Sequence, residues 1–225
     1  MGKYEISRYS SEEIYQLLKE EILSLHLLPG QKVSENELAH RFNISRTPVH
    51  SAFMRLKSDG LINIFPQRGT FVSLIDVEAI QQVIFLRIHL ERAIYTEAAE
   101  KWTPEFLAEL DENLQQQQAE VDKGPSANAF FAVSNQYHKL FYEFTKKQKL
   151  WTTMETMQFD YIRYRKLSYS LPSTCIRKLQ EHRQLRELVQ ARDYDGIYRF
   201  VPAHISGEIE SLPQESGAFH DFFCE

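Results

Sequence analysis

The stretch Ser45-Arg46-Thr47-Pro48-Val49-His50-Ser51-Ala52-Phe53-Met54-Arg55-Leu56, closed by Lys57-Ser58-Asp59-Gly60, decides how the chain is read. Val49, Ala52, Phe53 and Leu56 recur at the three- and four-residue spacing of one helical face. Ser45 is a helix start. Pro48 is tolerated in the first turn, where amides have no intrahelical acceptor, and Asp59-Gly60 is a stop. With the apolar face turned inward, Arg46, Thr47, His50, Ser51 and Met54 lie outward. Upstream, Ser34 with Glu37 opens a short helix carrying Leu38, Ala39 and Phe42 inward, and Asn43-Ile44 separates the two. Earlier still, a capping box of Ser10 and Glu13 starts a helix with Ile14, Leu17, Leu18, Ile22 and Leu25 at helical spacing, ended by Pro29-Gly30. Downstream, Leu61 to Phe65, then Pro66-Gln67-Arg68-Gly69, then Thr70-Phe71-Val72 read as strand, turn and strand. Three helices followed by a hairpin with a basic tip predict a winged helix-turn-helix.

That fold gives the outward residues a use. Residues near the start of a recognition helix reach base edges in the major groove, and the Arg46 fork matches the O6 and N7 acceptors of guanine. Ser45, Thr47 and the first-turn amides suit phosphate contacts, and His50 shares their face. Arg68, beside Gly69 at the wing tip, is placed for the minor groove or the backbone. A solvated charged face would account for either arginine alone; the pair, at helix start and wing tip, points to double-stranded DNA.

Charge supports this only once its distribution is considered. The 225 residues carry a formal net charge of −5, which taken whole disfavours a nucleic-acid partner. Residues 38–73, however, hold Arg41, Arg46, Arg55, Lys57 and Arg68 against Asp59 alone, a local +4, whereas residues 74–225 sum to −6. A polyanion-binding head on an acidic body fits the asymmetry. The length accommodates two modest domains, expected at 1–73 and 74–225. The longest apolar run, Ala129 to Val133, falls far short of the roughly 20 residues a membrane span needs, and the first residues do not read as a signal peptide. A cytoplasmic location is the expectation. Cys175 and Cys224 suggest neither a disulfide framework nor a thiolate metal site.

Beyond Asp76 helical periodicity dominates. Ala79 to Ala98, a segment started by Thr103-Pro104-Glu105, Phe130 to Phe144, Leu150 to Ser168, Ile176 to Arg192 and Tyr194 to Leu212 predict an all-helical body of about six helices. Three of them present a histidine on an apolar or mixed face: His138 near Phe141, His182 with Leu179, Leu185 and Val189, and His204 beside Val201. A histidine on such a face is ordinarily a satisfied core residue, but three from separate helices can converge on a metal. Arg87 interrupts an otherwise apolar helix; it is a candidate to receive a carboxylate, with an ion pair to Glu91 one turn on as the plain alternative.

Two resemblances organise these residues. Leu28-Pro29-Gly30, Val33-Ser34-Glu35, Leu38-Ala39, Ser45 to Val49, Asp59-Gly60-Leu61 and Arg68-Gly69-x-Phe71-Val72 resemble the N-terminal domain of GntR-family transcription regulators over about residues 10–73. The family commonly continues Thr-Pro-Val with Arg-Glu-Ala, where this chain has His50-Ser51-Ala52, so a contacting arginine is replaced by His50. Arg87-x-x-Leu90-Glu91, Tyr137-His138, Glu181-His182, Asp193 and His204 resemble the helical ligand-binding domain called FCD of the FadR-like subfamily, over about residues 76–212. That resemblance implies a homodimer on a palindromic operator, repression, small carboxylate effectors, and a divalent metal held by His138, His182, His204 and an Asp four residues before the first. Zinc is the expected ion, with nickel or another late transition metal also compatible. The Asp position is Ser134 here, which leaves three neutral imidazoles and room for an effector oxygen. Pro202 should kink the last helix just before His204.

The expectation is thus a mainly α protein, a winged helix-turn-helix followed by an FCD-like bundle, acting as a transcription regulator. Two other readings stand beside it. A metal-dependent hydrolase could use three histidines with an open position, but no His-Glu-x-x-His, di-iron pair, nucleophile elbow or phosphate loop accompanies them. A helical interaction protein could use its winged domain on protein.

Overall fold

The structure, a computed structural model, describes residues 9–207 and 219–224. The chain divides into two compact units, one running to Ile75 and taking in residues 219–224, the other starting at Asp76. The division thus falls beside the expected one after residue 73, and the last described residues group with the first unit instead of the second. The reason is a short strand pair, in which β5 (Phe223–Cys224) lies against β4 (Ile75–Asp76).

The first unit contains α1 (Ser11–Leu23), β1 (Lys32–Val33), α2 (Glu35–Phe42), α3 (Arg46–Ser58), β2 (Ile62–Phe65) and β3 (Gly69–Val72). Ser10 and Glu13 make the reciprocal capping box that starts α1, and the Ser34 hydroxyl accepts from the Glu37 amide at the start of α2. Asn43 closes α2 in the left-handed region, which its side chain tolerates. Val49, Ala52, Phe53 and Leu56 are buried against Ile14, Leu18 and Ile22 in a shared core, as the spacing requires. The sheet has the order β1-β3-β2, all antiparallel. Its third strand, Lys32–Val33, was not legible in the sequence, because two residues are too short to alternate.

In the second unit, α4 (Val77–Lys101), α5 (Pro104–Asp122), α6 (Ala127–Phe144), α7 (Gln148–Glu155), α8 (Phe159–Ser168), α9 (Pro172–Ala191) and α10 (Tyr194–Ser206) form a bundle. Among the described residues it has seven helices where about six were expected, because the segment expected from Leu150 to Ser168 breaks at Thr156–Gln158. The Thr153 hydroxyl donates to the Lys149 carbonyl and that of Thr156 to the Thr153 carbonyl, local bonds that compete with continuing the helix. Pro172 starts α9 at its first turn, four residues before the expected start. Pro202 lies inside α10, which nevertheless runs through to Ser206 and keeps His204 on the buried face. The expected continuation from Ser206 to Leu212 extends past the described residues.

The wing depends on one residue's freedom. Gly69 opens β3 at φ +114°, where L side chains are strained, and a Cβ there would come within 2.9 Å of the Lys32 side chain on β1. Gly69→Ala should therefore lower stability by about 1–3 kcal/mol, measured as a fall in the denaturant midpoint of the full chain. An unchanged midpoint would remove this structural role and leave close approach to DNA as the reason for glycine.

Candidate functional site

Two groups of side chains emerge, one in each unit. On α3, Ser45, Arg46, Thr47 and His50 are all exposed, with the Arg46 side chain 65% accessible and that of His50 59%. The Ser45 hydroxyl makes no capping bond, and so is available to an outside acceptor. Glu35, on the first turn of α2, holds both longer side chains: Arg46 Nη2 donates to it at 3.1 Å and His50 Nδ1 lies 2.8 Å from its other oxygen. Partial burial works to raise the Glu35 pKa, but the bonds from His50 and Arg46 outweigh it and hold the carboxyl below its usual range. Arg68 is exposed at the wing tip with its guanidinium 5.7 Å from the Phe65 ring centre. Glu35 was read only as part of a family signature, and sequence gave no signal that it would gather Arg46 and His50.

In the second unit the three helix-borne histidines converge. His138 on α6, His182 on α9 and His204 on α10 are 3%, 0% and 4% exposed, and each offers a ring nitrogen such that all three atoms lie within 4.8 Å of one another. Their hydrogen bonds fix which nitrogen that is. The Asn113 amide donates to the Val133 carbonyl, so its oxygen accepts from the Gln117 amide, and the Gln117 oxygen is left to accept from His182 Nδ1 at 2.7 Å. His204 Nδ1 lies 2.7 Å from Glu181, an obligate acceptor when ionised. The Tyr95 hydroxyl donates to Glu91 and so accepts from His138 Nδ1 at 2.7 Å. All three rings therefore carry their proton on Nδ1 and turn the Nε2 lone pair inward. Nε2 of His182 and of His204 is buried with no hydrogen-bond partner among the described residues.

Burial holds all three imidazoles well below their usual pKa; Arg87, Arg165 and Lys178 reinforce it at His138, and Lys178 does so at the other two. The rings are neutral, the form that ligates a metal. An orphaned buried nitrogen is expensive unless something outside the ring set accepts its lone pair. The donor set of three neutral nitrogens, each anchored through its other nitrogen to an amide, carboxylate or phenol, fits a late transition ion.

A cavity opens beside the cluster. It is lined by His138 and His204 with Arg165, Tyr169, Thr174 and Lys178, among others, and is narrow, with a cavity volume of about 20 Å³. Ser134, at the position expected to carry the fourth ligand, is buried, and its Oγ meets Tyr169 Oη at 3.1 Å and Arg165 Nη2 at 3.0 Å. Arg87 does not line the cavity. Its Nε donates to Glu91 at 2.6 Å and its side chain is 1% exposed, so the geometry is that of the i,i+4 ion pair and not of a carboxylate receptor. The reason is position: Glu91 lies one turn along α4 and forms the ion pair, although both Nη atoms of Arg87 are buried without a hydrogen-bond partner among the described residues. Sequence reasoning passed over Arg165 and Lys178, which face the cavity from α8 and α9.

A winged helix-turn-helix joined to a helical unit with an anchored three-histidine cluster defines a DNA-binding regulator. Residues 10–72 match the model described as "Bacterial regulatory proteins, gntR family", and residues 82–207 match the FCD domain. The chain is 31% identical over 215 residues to the HTH-type transcriptional repressor RspR of Escherichia coli strain K12, covering 96% of this chain and 94% of that protein. It is 24% identical over 198 residues to the Nta operon transcriptional regulator of Aminobacter aminovorans, covering 84% and 88%. Among solved structures, E. coli McbR/YncC superposes with a TM-score of 0.67 at 22% identity, covering 91% of this chain and 97% of that one. The chain belongs to the GntR family and is a transcriptional regulator of the GntR/FCD type, whose helix-turn-helix domain binds DNA. The hydrolase reading finds no support among these relatives. No helix among the described residues is long and apolar enough to cross a membrane.

Arg46→Ala should weaken binding to a selected operator much more than to random DNA, since a bidentate arginine–guanine contact carries roughly 1–3 kcal/mol of discrimination. Arg68→Ala should weaken both by similar factors. Gel-shift titrations on the two DNAs at fixed salt check this; equal losses for Arg46→Ala would remove the base-reading role.

Proposed function

We propose that the protein is a cytoplasmic, homodimeric repressor whose hold on a palindromic operator changes when a small carboxylate binds beside a metal ion in the helical unit. Ser45, Thr47 and the α3 amides contact phosphate, Arg46 reads a base, His50 adds a weaker contact, and Arg68 with Gly69 reaches the flanking groove or backbone. The observation that carries the sensory half is the set of three Nδ1-protonated imidazoles turning their Nε2 lone pairs to one point, two of them buried and otherwise unpartnered. His138, His182 and His204 would hold the ion, most suitably zinc, with nickel as a second fit. Such an ion supplies a Lewis-acidic position that an anionic oxygen can take.

This chain's own residues supply the rest. Gln117, Glu181 and the Tyr95–Glu91 pair keep the rings in register, and Arg165, Lys178, Tyr169 and Thr174 give the cavity donors for an anion. With Ser134 in the fourth position no protein carboxylate neutralises the ion, which favours an anionic effector as the completing ligand. Repression is supported by the likeness to RspR, which is named a repressor. A two-fold protein matches a two-fold operator, which supports the dimer.

Elemental analysis of protein purified without a histidine tag should find about one equivalent of a late transition metal, and His182→Ala almost none. His182 is chosen because it is the least exposed of the three residues. Metal-free protein that zinc or nickel cannot reconstitute, with or without acetate, would reduce the cluster to a polar pocket.

A further inference from the structure

The outer face of the wing breaks the pattern of its own sheet. In an antiparallel sheet with one side on the core, the solvent side is expected to be polar. Ile62 pairs with Val72 on the inner side, and both are buried. The outer side runs in two rows: Lys32, Phe71 and Asn63 across the three strands, then Gly69 and Phe65 at the turn. Phe65 is 44% exposed and Phe71 half-buried, their ring centres 6.0 Å apart in an edge contact. Two exposed cations border the rings. The Lys32 side chain lies along Gly69, and the Arg68 guanidinium is 5.7 Å from the Phe65 ring centre. Arg41, Arg46 and Arg55 of the same unit are each paired with a glutamate, whereas Lys32 and Arg68 make no ion pair among the described residues. Residues 60–75 contain no Asp or Glu at all.

Exposed aromatic carbon bordered by unpaired cations fits one kind of surface well. The wall of a DNA minor groove sets deoxyribose carbons between phosphate oxygens, so rings and cations are matched together. The same unit binds DNA through its helix-turn-helix, and the outer face runs on from the wing tip at Arg68. Resting on the DNA contact proposed above for Arg68 and Gly69, we propose that the outer wing face docks on the minor groove flanking the bases read by α3. Phe65 lies against deoxyribose rings there, backed by Phe71, while Lys32 and Arg68 take neighbouring phosphates. Lys32 belongs to β1, outside the hairpin, so the contact enlists all three strands of the sheet. Sugars and phosphates repeat at every step, and the contact therefore adds affinity without choosing sequence, which is left to α3. A second copy of the chain is a poorer occupant. In a two-fold contact between wings the same cations would face one another and repel.

Titration of the full-length protein on a selected duplex, and on the same duplex trimmed to the bases facing α3, tests this over a series of salt concentrations. Phe65→Ala should bind the long duplex about tenfold more weakly than wild type and the trimmed one equally well. Phe65→Leu, still apolar, should recover part of the loss. The salt slope of Phe65→Ala should match wild type, because an apolar contact releases no counterion, whereas Lys32→Gln should shrink the slope by about 0.9. If the aromatic pair only stiffens the hairpin, Phe65→Ala will lower the unfolding midpoint and weaken both duplexes alike, which overturns the proposal. Should that variant fail to fold, Lys32→Gln decides, and an unchanged slope overturns it. Wild type indifferent to trimming overturns the outer-face contact and leaves the α3 contacts standing; wild type that binds no duplex overturns both. Phe65→Ala that sediments as a monomer yet keeps its affinity for the long duplex would make the patch a contact between copies instead.

Discussion

Three imidazole rings can share a buried space only when each directs its single N–H at an acceptor outside the cluster, and much of the helical unit is arranged to provide those acceptors. Gln117 comes from α5, Glu91 and Tyr95 from α4, and Glu181 from α9, while the rings belong to α6, α9 and α10. Five helices are thereby tied into one network, and sliding any of them by a turn would strand a polar group in the core at a cost of a few kcal/mol. Tyr137 adds a further tie: its hydroxyl donates to the His182 carbonyl at 2.8 Å while its ring stacks on the imidazole at 4.4 Å. The network fixes tautomers more firmly than it stabilises the fold, since a core of apolar residues would pack without its desolvation costs. What such polar construction provides is a set of aligned lone pairs.

The same constraint explains what was legible beforehand. The winged unit could be read almost element by element, because Ser10 with Glu13, Ser34, Pro48, Asp59-Gly60 and Gly69 are local signals whose physics acts within a few residues. The two-residue strand at Lys32–Val33 exists only because β3 lies beside it, and no local pattern announces that. In the helical unit the three histidines were visible from their spacing, but their anchors were not. Gln117 sits in a run of glutamines, Gln115 to Gln118, too short to count as a low-complexity tract, and its role depends on Asn113 and on the Val133 carbonyl of another helix. Arg87 was singled out because it interrupts an apolar face, yet burial beside Glu91 uses that charge internally. Arg165, on a helix with almost no amphipathic contrast because its charged residues are themselves buried, escaped notice for the same reason. Periodicity finds faces; which buried cation lacks an anion is settled by tertiary packing.

On the DNA-facing side, the contact that organises the surface is weak, and its weakness has a use. Glu35 draws Arg46 and His50 together across α2 and α3, but both partners are more than half exposed, and such pairs contribute about 0–1 kcal/mol. A fork laid on guanine contributes roughly 1–3 kcal/mol of discrimination, so Arg46 can leave Glu35 for a base with a net gain, whereas a random contact offers less return for the same exchange. Glu35 also brings negative charge to the face proposed to meet phosphates, which would penalise loosely docked arrangements in which Arg46 has not found its base. His50, lacking a guanidinium fork, cannot substitute for Arg46 in bidentate readout. On the proposed reading the base-reading burden on α3 falls on Arg46, and the Glu35 bond restrains its side chain before DNA arrives, lowering the conformational entropy that docking would otherwise remove.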